Sequence, residues 1–109
     1  MNENEQRLAR DATGFPLEAC LVAKLLTRFE AEREQPELTF REFIDYARCP
    51  GGLQMARRWF SKARAAGVVM EVVRGSGQGV RSVWCLTDLG NRLGALLVEV
   101  DRLHAEGTG

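Results

Sequence analysis

The residues of this chain best suited by type and spacing to chemistry are cationic, and they gather near its middle. Arg57, Arg58, Ser61, Lys62 and Arg64 fall within residues 53–65, and Arg74 and Arg81 flank the run Gly75-Ser76-Gly77-Gln78-Gly79. Guanidinium forks match the paired acceptors of a phosphate or of a guanine edge, so the chemistry implied is recognition of a polyanion. Thirteen of the fifteen basic residues are Arg, the type suited to such bidentate contacts. The chain as a whole is neutral, which makes the placement of the charge informative. Residues 48–81 hold seven basic side chains against one acidic, a surplus of six, while residues 1–47 carry a net −4 and residues 82–109 a net −2. A basic centre between acidic flanks gives one polyanion-binding face and a remaining surface that repels the polyanion.

Other chemistries find little footing. The single histidine, His104, has no Ser/His/Asp set around it, and no carboxylate pair or metal-ligand cluster stands out. The chain is therefore read as a non-enzyme without cofactor or metal. Cys20, Cys49 and Cys85 are odd in number and lack C-x-x-C spacing, which points to reduced thiols and a cytoplasmic setting. The glycine run lies between two apparent strands and lacks the Lys-Ser/Thr of a nucleotide loop, so it reads as a hairpin tip. No apolar run approaches the roughly 18 residues that span a bilayer.

The elements that must position the cations follow from hydrophobic spacing. Gly14 and Pro16 precede a helix in which Leu17, Leu21, Leu25 and Phe29 recur every four residues, broadened by Cys20, Val22 and Leu26. Glu18, Lys24, Arg28, Glu32 and Arg33 are expected on its solvent side. Leu38-Thr39-Phe40 suggests a short strand, and Thr39 and Glu42 have capping-box spacing for a second helix that buries Phe40, Phe43, Ile44 and Ala47. Cys49-Pro50-Gly51-Gly52 is a turn. A third helix from Leu53 to Ala65 sets Leu53, Ala56, Phe60 and Ala63 on one buried face at spacings of three, four and three, with Trp59 packing towards helix two and Gly67 at its C′ position. Strands over residues 68–74 and 80–86 form a hairpin, with Trp84 and Leu86 expected to face the core.

Thr87 caps a last helix in which Leu89, Leu93, Leu96, Val100 and Leu103 are spaced four, three, four, three, the pattern of a heptad seam that Leu97 widens. Gly90 and Gly94 admit a close backbone. The stripe fits a partner helix, or alternatively a fold back onto helix one. The fold class expected is α+β, mainly α: a winged helix-turn-helix with a C-terminal dimerisation helix. The division is a flexible or docking arm at 1–14, a DNA-binding domain at 15–87, the dimerisation helix at 88–105 and a disordered tail at 106–109.

Ala63, Gly67-Val68-Val69, Trp84-x-Leu86-Thr87 and the run Leu86-Thr87-Asp88-Leu89-Gly90-Asn91-Arg92-Leu93 resemble the winged-helix transcriptional regulators of the MarR, PadR and related groups. The resemblance covers residues 17–104. It implies a dimer with two recognition helices in successive major grooves and with wings on the flanking minor grooves or backbone. By position it places Gln54, Met55, Arg57, Arg58, Ser61 and Lys62 on the groove-facing side and the wing at Arg74 to Arg81, where Gln78 can touch a minor groove. The expected protein is a sequence-specific double-stranded DNA-binding homodimer in the cytoplasm or nucleoid, a repressor, with no membrane contact and an effector that the sequence does not identify. Arg57 and Arg58 are the expected base readers, with Ser61, Lys62 and Arg64 on phosphates. The alternatives are a plasmid or phage replication or partition factor and a winged-helix protein-interaction module.

Overall fold

A computed structural model describes residues 14–108. The expected arm therefore lies, apart from Gly14, outside the described residues. The order is helix α1 (Leu17–Arg33), α2 (Phe40–Ala47), α3 (Gly52–Ala65), strands β1 (Val69–Arg74) and β2 (Arg81–Leu86), and helix α4 (Asp88–Thr108). The chain is thus mainly helical with a small antiparallel hairpin.

Local sequence sets most element boundaries. Both arms of the capping box form at α2: Thr39 Oγ1 accepts from the Glu42 N–H at 3.2 Å, and Glu42 Oε1 accepts from the Thr39 N–H at 3.0 Å. Gly67, at φ 79°, ends α3 in a Schellman arrangement. Its N–H donates to the Arg64 carbonyl and that of Val68 to the Ala63 carbonyl, both at 3.0 Å. Thr87 caps α4 by accepting from the Gly90 N–H at 3.1 Å, while its hydroxyl donates to the Gly67 carbonyl at 2.6 Å. That one side chain ties the end of α3 to the start of α4.

The strands pair from Val69 opposite Leu86 to Arg74 opposite Arg81. Leu38 adds a single bridge on the far side of β2, exchanging backbone bonds of 3.0 and 2.7 Å with Trp84. The short strand expected at 38–40 is reduced to this one residue, because the Thr39 cap starts α2 immediately afterwards. It nevertheless makes β2 the central strand and leaves β1 at an edge.

An aromatic cluster fills the core between α2, α3 and the hairpin. Phe43 meets Phe60 edge-on at 4.8 Å between centroids, and Phe60 and Phe40 flank Trp84 at 5.0 and 5.4 Å. Trp59 is half-buried and turns an edge towards Phe43 at 6.1 Å.

Four expectations need correction. In α1 the fully enclosed residues are Ala19, Cys20, Val22, Ala23, Leu26 and Phe29, whereas Leu17, Leu21 and Leu25 are half-buried. The reason is that α1 packs against both α3 and α4, so its buried arc is wider than a four-residue stripe. Lys24, expected in solvent, is 6% exposed and forms an ion pair with Asp101 of α4. Arg28 joins the same carboxylate at 2.9 Å. In β2 both Val83 and Trp84 are buried and Leu86 is half-buried, because the segment Gln35–Glu37 and Glu42 stand around the face opposite the core. Finally, α4 continues through Glu106 to Thr108, where a disordered tail was expected. Arg102 pairs with both Glu99 and Glu106 and so supports this last turn.

Candidate nucleic-acid interface

The buried side of α3 is made by Ala56, Phe60 and Ala63, each 0% exposed, whereas Leu53, expected on the same face, is 44% exposed because it sits in the helix's first turn, beyond the core. The same phase turns Gln54, Arg57, Arg58, Ser61, Lys62 and Arg64 into solvent. Among the described residues, none of these four cations has a hydrogen bond or ion pair. A helix therefore presents four charges with their full donor capacity unused, anchored from behind by the aromatic core. Met55 is half-buried instead, and with Glu18, Gly51, Gln54, Arg58 and Trp59 it lines a hollow between the start of α1 and the start of α3.

The hairpin differs from the sequence expectation. Arg74 and Arg81 are directly opposite on the two strands and share a face. Two guanidiniums so placed repel each other. Glu37 relieves this by taking Arg74: Arg74 Nε donates to Glu37 Oε1 and Oε2 at 3.1 and 3.2 Å, and Nη2 also donates to Oε1. The bonded guanidinium of Arg74 outweighs desolvation and holds the Glu37 carboxyl below its usual range. Burial pushes the Glu42 carboxyl up, but bonds from Gln35 and Thr39 and the charge of Arg81 outweigh it, so Glu42 too lies below that range. Arg74 is thus engaged within its own chain, whereas Arg81 has nearby carboxylates but no bonded one. Neither glutamate was legible as a site residue, since their proximity to the hairpin arises only when the Leu38 bridge forms.

The tip carries Gln78 in a short 3-10 turn, Gly77–Gly79, and is exposed. Gly75, at φ 91°, lets the chain close there, because a Cβ would stand 2.4 Å from the Gly79 carbonyl oxygen. Met70, Val73 and Val80 on the hairpin are 47%, 61% and 51% exposed.

On α4 the expected heptad seam is divided. Leu93 and Leu97 are buried at 4% each within the chain's own core. Leu89, Leu96, Val100 and Leu103 remain 42–54% exposed. At about 100° per residue these four fall within roughly 60° of arc, a narrow apolar stripe. Gly90 and Gly94 do admit close backbones, but those belong to the same chain: Val68 beside Gly90 and Ala23 beside Gly94.

The remaining sequence candidates are quiet. Cys49 is buried in its turn, and burial, with the nearby Glu37 charge, pushes the Cys85 thiol up, away from reactivity. Among the described residues no group of three His, Cys, Asp or Glu could hold a metal, and no helix is long and apolar enough to cross a membrane. Comparison with known proteins found no matching family model, no similar curated protein and no similar solved structure.

Proposed function

We propose that this protein is a winged-helix, sequence-specific binder of double-stranded DNA that acts as a homodimer and as a transcriptional repressor. The observation that carries the reading is the exposed side of α3: Arg57, Arg58, Lys62 and Arg64 on one helix, with no carboxylate of the described chain bonded to them. A cationic helix of 14 residues is about 20 Å long and fits a major groove. The hairpin that follows it, with Arg81 and Gln78, is placed in sequence to lie on the adjacent backbone or minor groove. The exposed stripe Leu89, Leu96, Val100 and Leu103 is the surface for a second copy, and two copies bring two α3 helices to half-sites about one helical turn apart. Selection of bound sequences from random duplex DNA, with sizing of the complex, tests this. Enrichment of a two-fold repeat bound by two copies supports the reading; the absence of any enriched duplex removes it. A replication or partition factor differs by assembling cooperatively along repeated sites.

One observation favours a second reading, a protein-interaction module. The hairpin's Arg74 is neutralised by Glu37, and Met70, Val73 and Val80 give the hairpin an apolar surface. Such a module has no salt-dependent affinity for DNA.

A further inference from the structure

Resting on the DNA reading of α3, we infer that its two adjacent arginines have different tasks: Arg58 reads a base edge and Arg57 holds a phosphate. The helix turns about 100° per residue. With Ala56, Phe60 and Ala63 marking the buried pole, Gln54, Arg58 and Ser61 lie within about 50° of the outward pole. Arg57 and Arg64, seven residues apart, share a row about 90–110° round from it. A helix with its side chains is about 10–12 Å across and a major groove about 12 Å wide. Residues at the outward pole therefore face the groove floor, where the base edges are. Residues a quarter-turn away face a wall, where the phosphates are. Arg57 and Arg64 are two turns apart on one such wall.

A second observation concerns the opposite flank. There Glu18, from the first turn of α1, lines the same hollow as Arg58, together with Met55 and Trp59. A carboxylate in the hollow that Arg58 also lines repels a phosphate there but accepts the amino proton of a base. The charge environment and the helix phase thus both direct Arg58 away from the backbone and towards the floor. Lys62, one turn further on, lies about 50° from the outward pole on that flank, between floor and wall.

The test uses the duplex selected from random DNA and a set of its single base-pair variants, with Arg57→Ala and Arg58→Ala in the full chain. Both positions are exposed and unbonded, and the circular dichroism of each variant checks its fold. Arg57→Ala is expected to weaken every duplex by a common factor and to reduce the salt slope by about 0.9 per protomer. Arg58→Ala is expected to flatten discrimination at one base pair of each half-site by roughly 5- to 150-fold. The inference is overturned if Arg57→Ala changes base preference while Arg58→Ala does not, or if both change only the salt slope. A wild-type chain that binds no duplex overturns the DNA reading itself, and this inference with it.

Discussion

Replacing Gly90 by Ala tests the placement of α4, on which the exposure of its apolar stripe depends. Two effects of opposite sign compete. In a helix interior Ala is favoured over Gly by about 1 kcal/mol, an upper bound for Gly90 in the first turn of α4, so a glycine with open space around it becomes more stable. At Gly90, however, a Cβ would stand 1.9 Å from the Val68 carbonyl oxygen and 2.9 Å from its carbon. These are backbone atoms just beyond the Schellman turn, and the same oxygen accepts from the Thr87 N–H at 3.0 Å. No side-chain rotation relieves the overlap, so α4 must move outward by more than about 1 Å. Overpacking of this kind costs about 1–3 kcal/mol and occasionally more. With the clash at the upper end of that range, net destabilisation of about 2 kcal/mol remains after the propensity gain. For a domain of this size that lowers Tm by about 8–16 °C. Thermal melts followed by far-ultraviolet circular dichroism read it, with Gly107→Ala as the control, because nothing lies within 4 Å of a Cβ there. A Gly90→Ala protein that melts no lower than the control refutes the contact between α4 and the end of α3.

Three other outcomes follow from named contacts. Leu96→Glu, on the exposed stripe at 53%, is expected to leave the monomer folded but to shift light-scattering mass from two copies to one; a dimer that persists at low micromolar concentration contradicts the stripe as its surface. Asp101→Asn strips the buried Lys24 of its counter-ion. Breaking a buried pair costs about 3–5 kcal/mol, less here because Asp101 keeps a quarter of its surface in water, and urea unfolding should show a loss of about 1–3 kcal/mol. Glu37→Gln frees Arg74, so duplex affinity should rise at low salt and the salt slope should steepen by up to about 0.9 per protomer. Because the folded Glu37 carboxyl lies below its unfolded value, its contribution to stability is complete above that value and is lost as pH falls through the acid carboxylate range. The variant should lack that part of the acid dependence of the urea midpoint.

The elements with local signals were the legible ones. Thr39 with Glu42, Gly67 and Thr87 each carry their capping chemistry within four residues in sequence, and each forms the bonds its type implies. What the sequence did not disclose depends on partners far along the chain. Lys24 reads as a solvent residue until α4 brings Asp101 to it, and Leu93 and Leu97 read as part of one seam until α1 claims them. Val83 and Trp84 cannot both be buried by a strand that has one solvent face, and they are both buried because the Gln35–Glu37 segment stands over the second. The cations of α3 were visible by type and spacing. That Arg74 is engaged and the α3 cations are not was invisible, since it depends on a glutamate 37 residues away.

The most direct test of the account is the salt dependence of binding to duplex DNA, read by fluorescence anisotropy between 50 and 200 mM salt. If the free cations of α3 neutralise about three phosphates per protomer, a dimer engages about six, and log K should fall against log salt with a slope near −5. A flat profile, or no binding at 50 mM salt, would contradict the claim that this helix meets a nucleic acid.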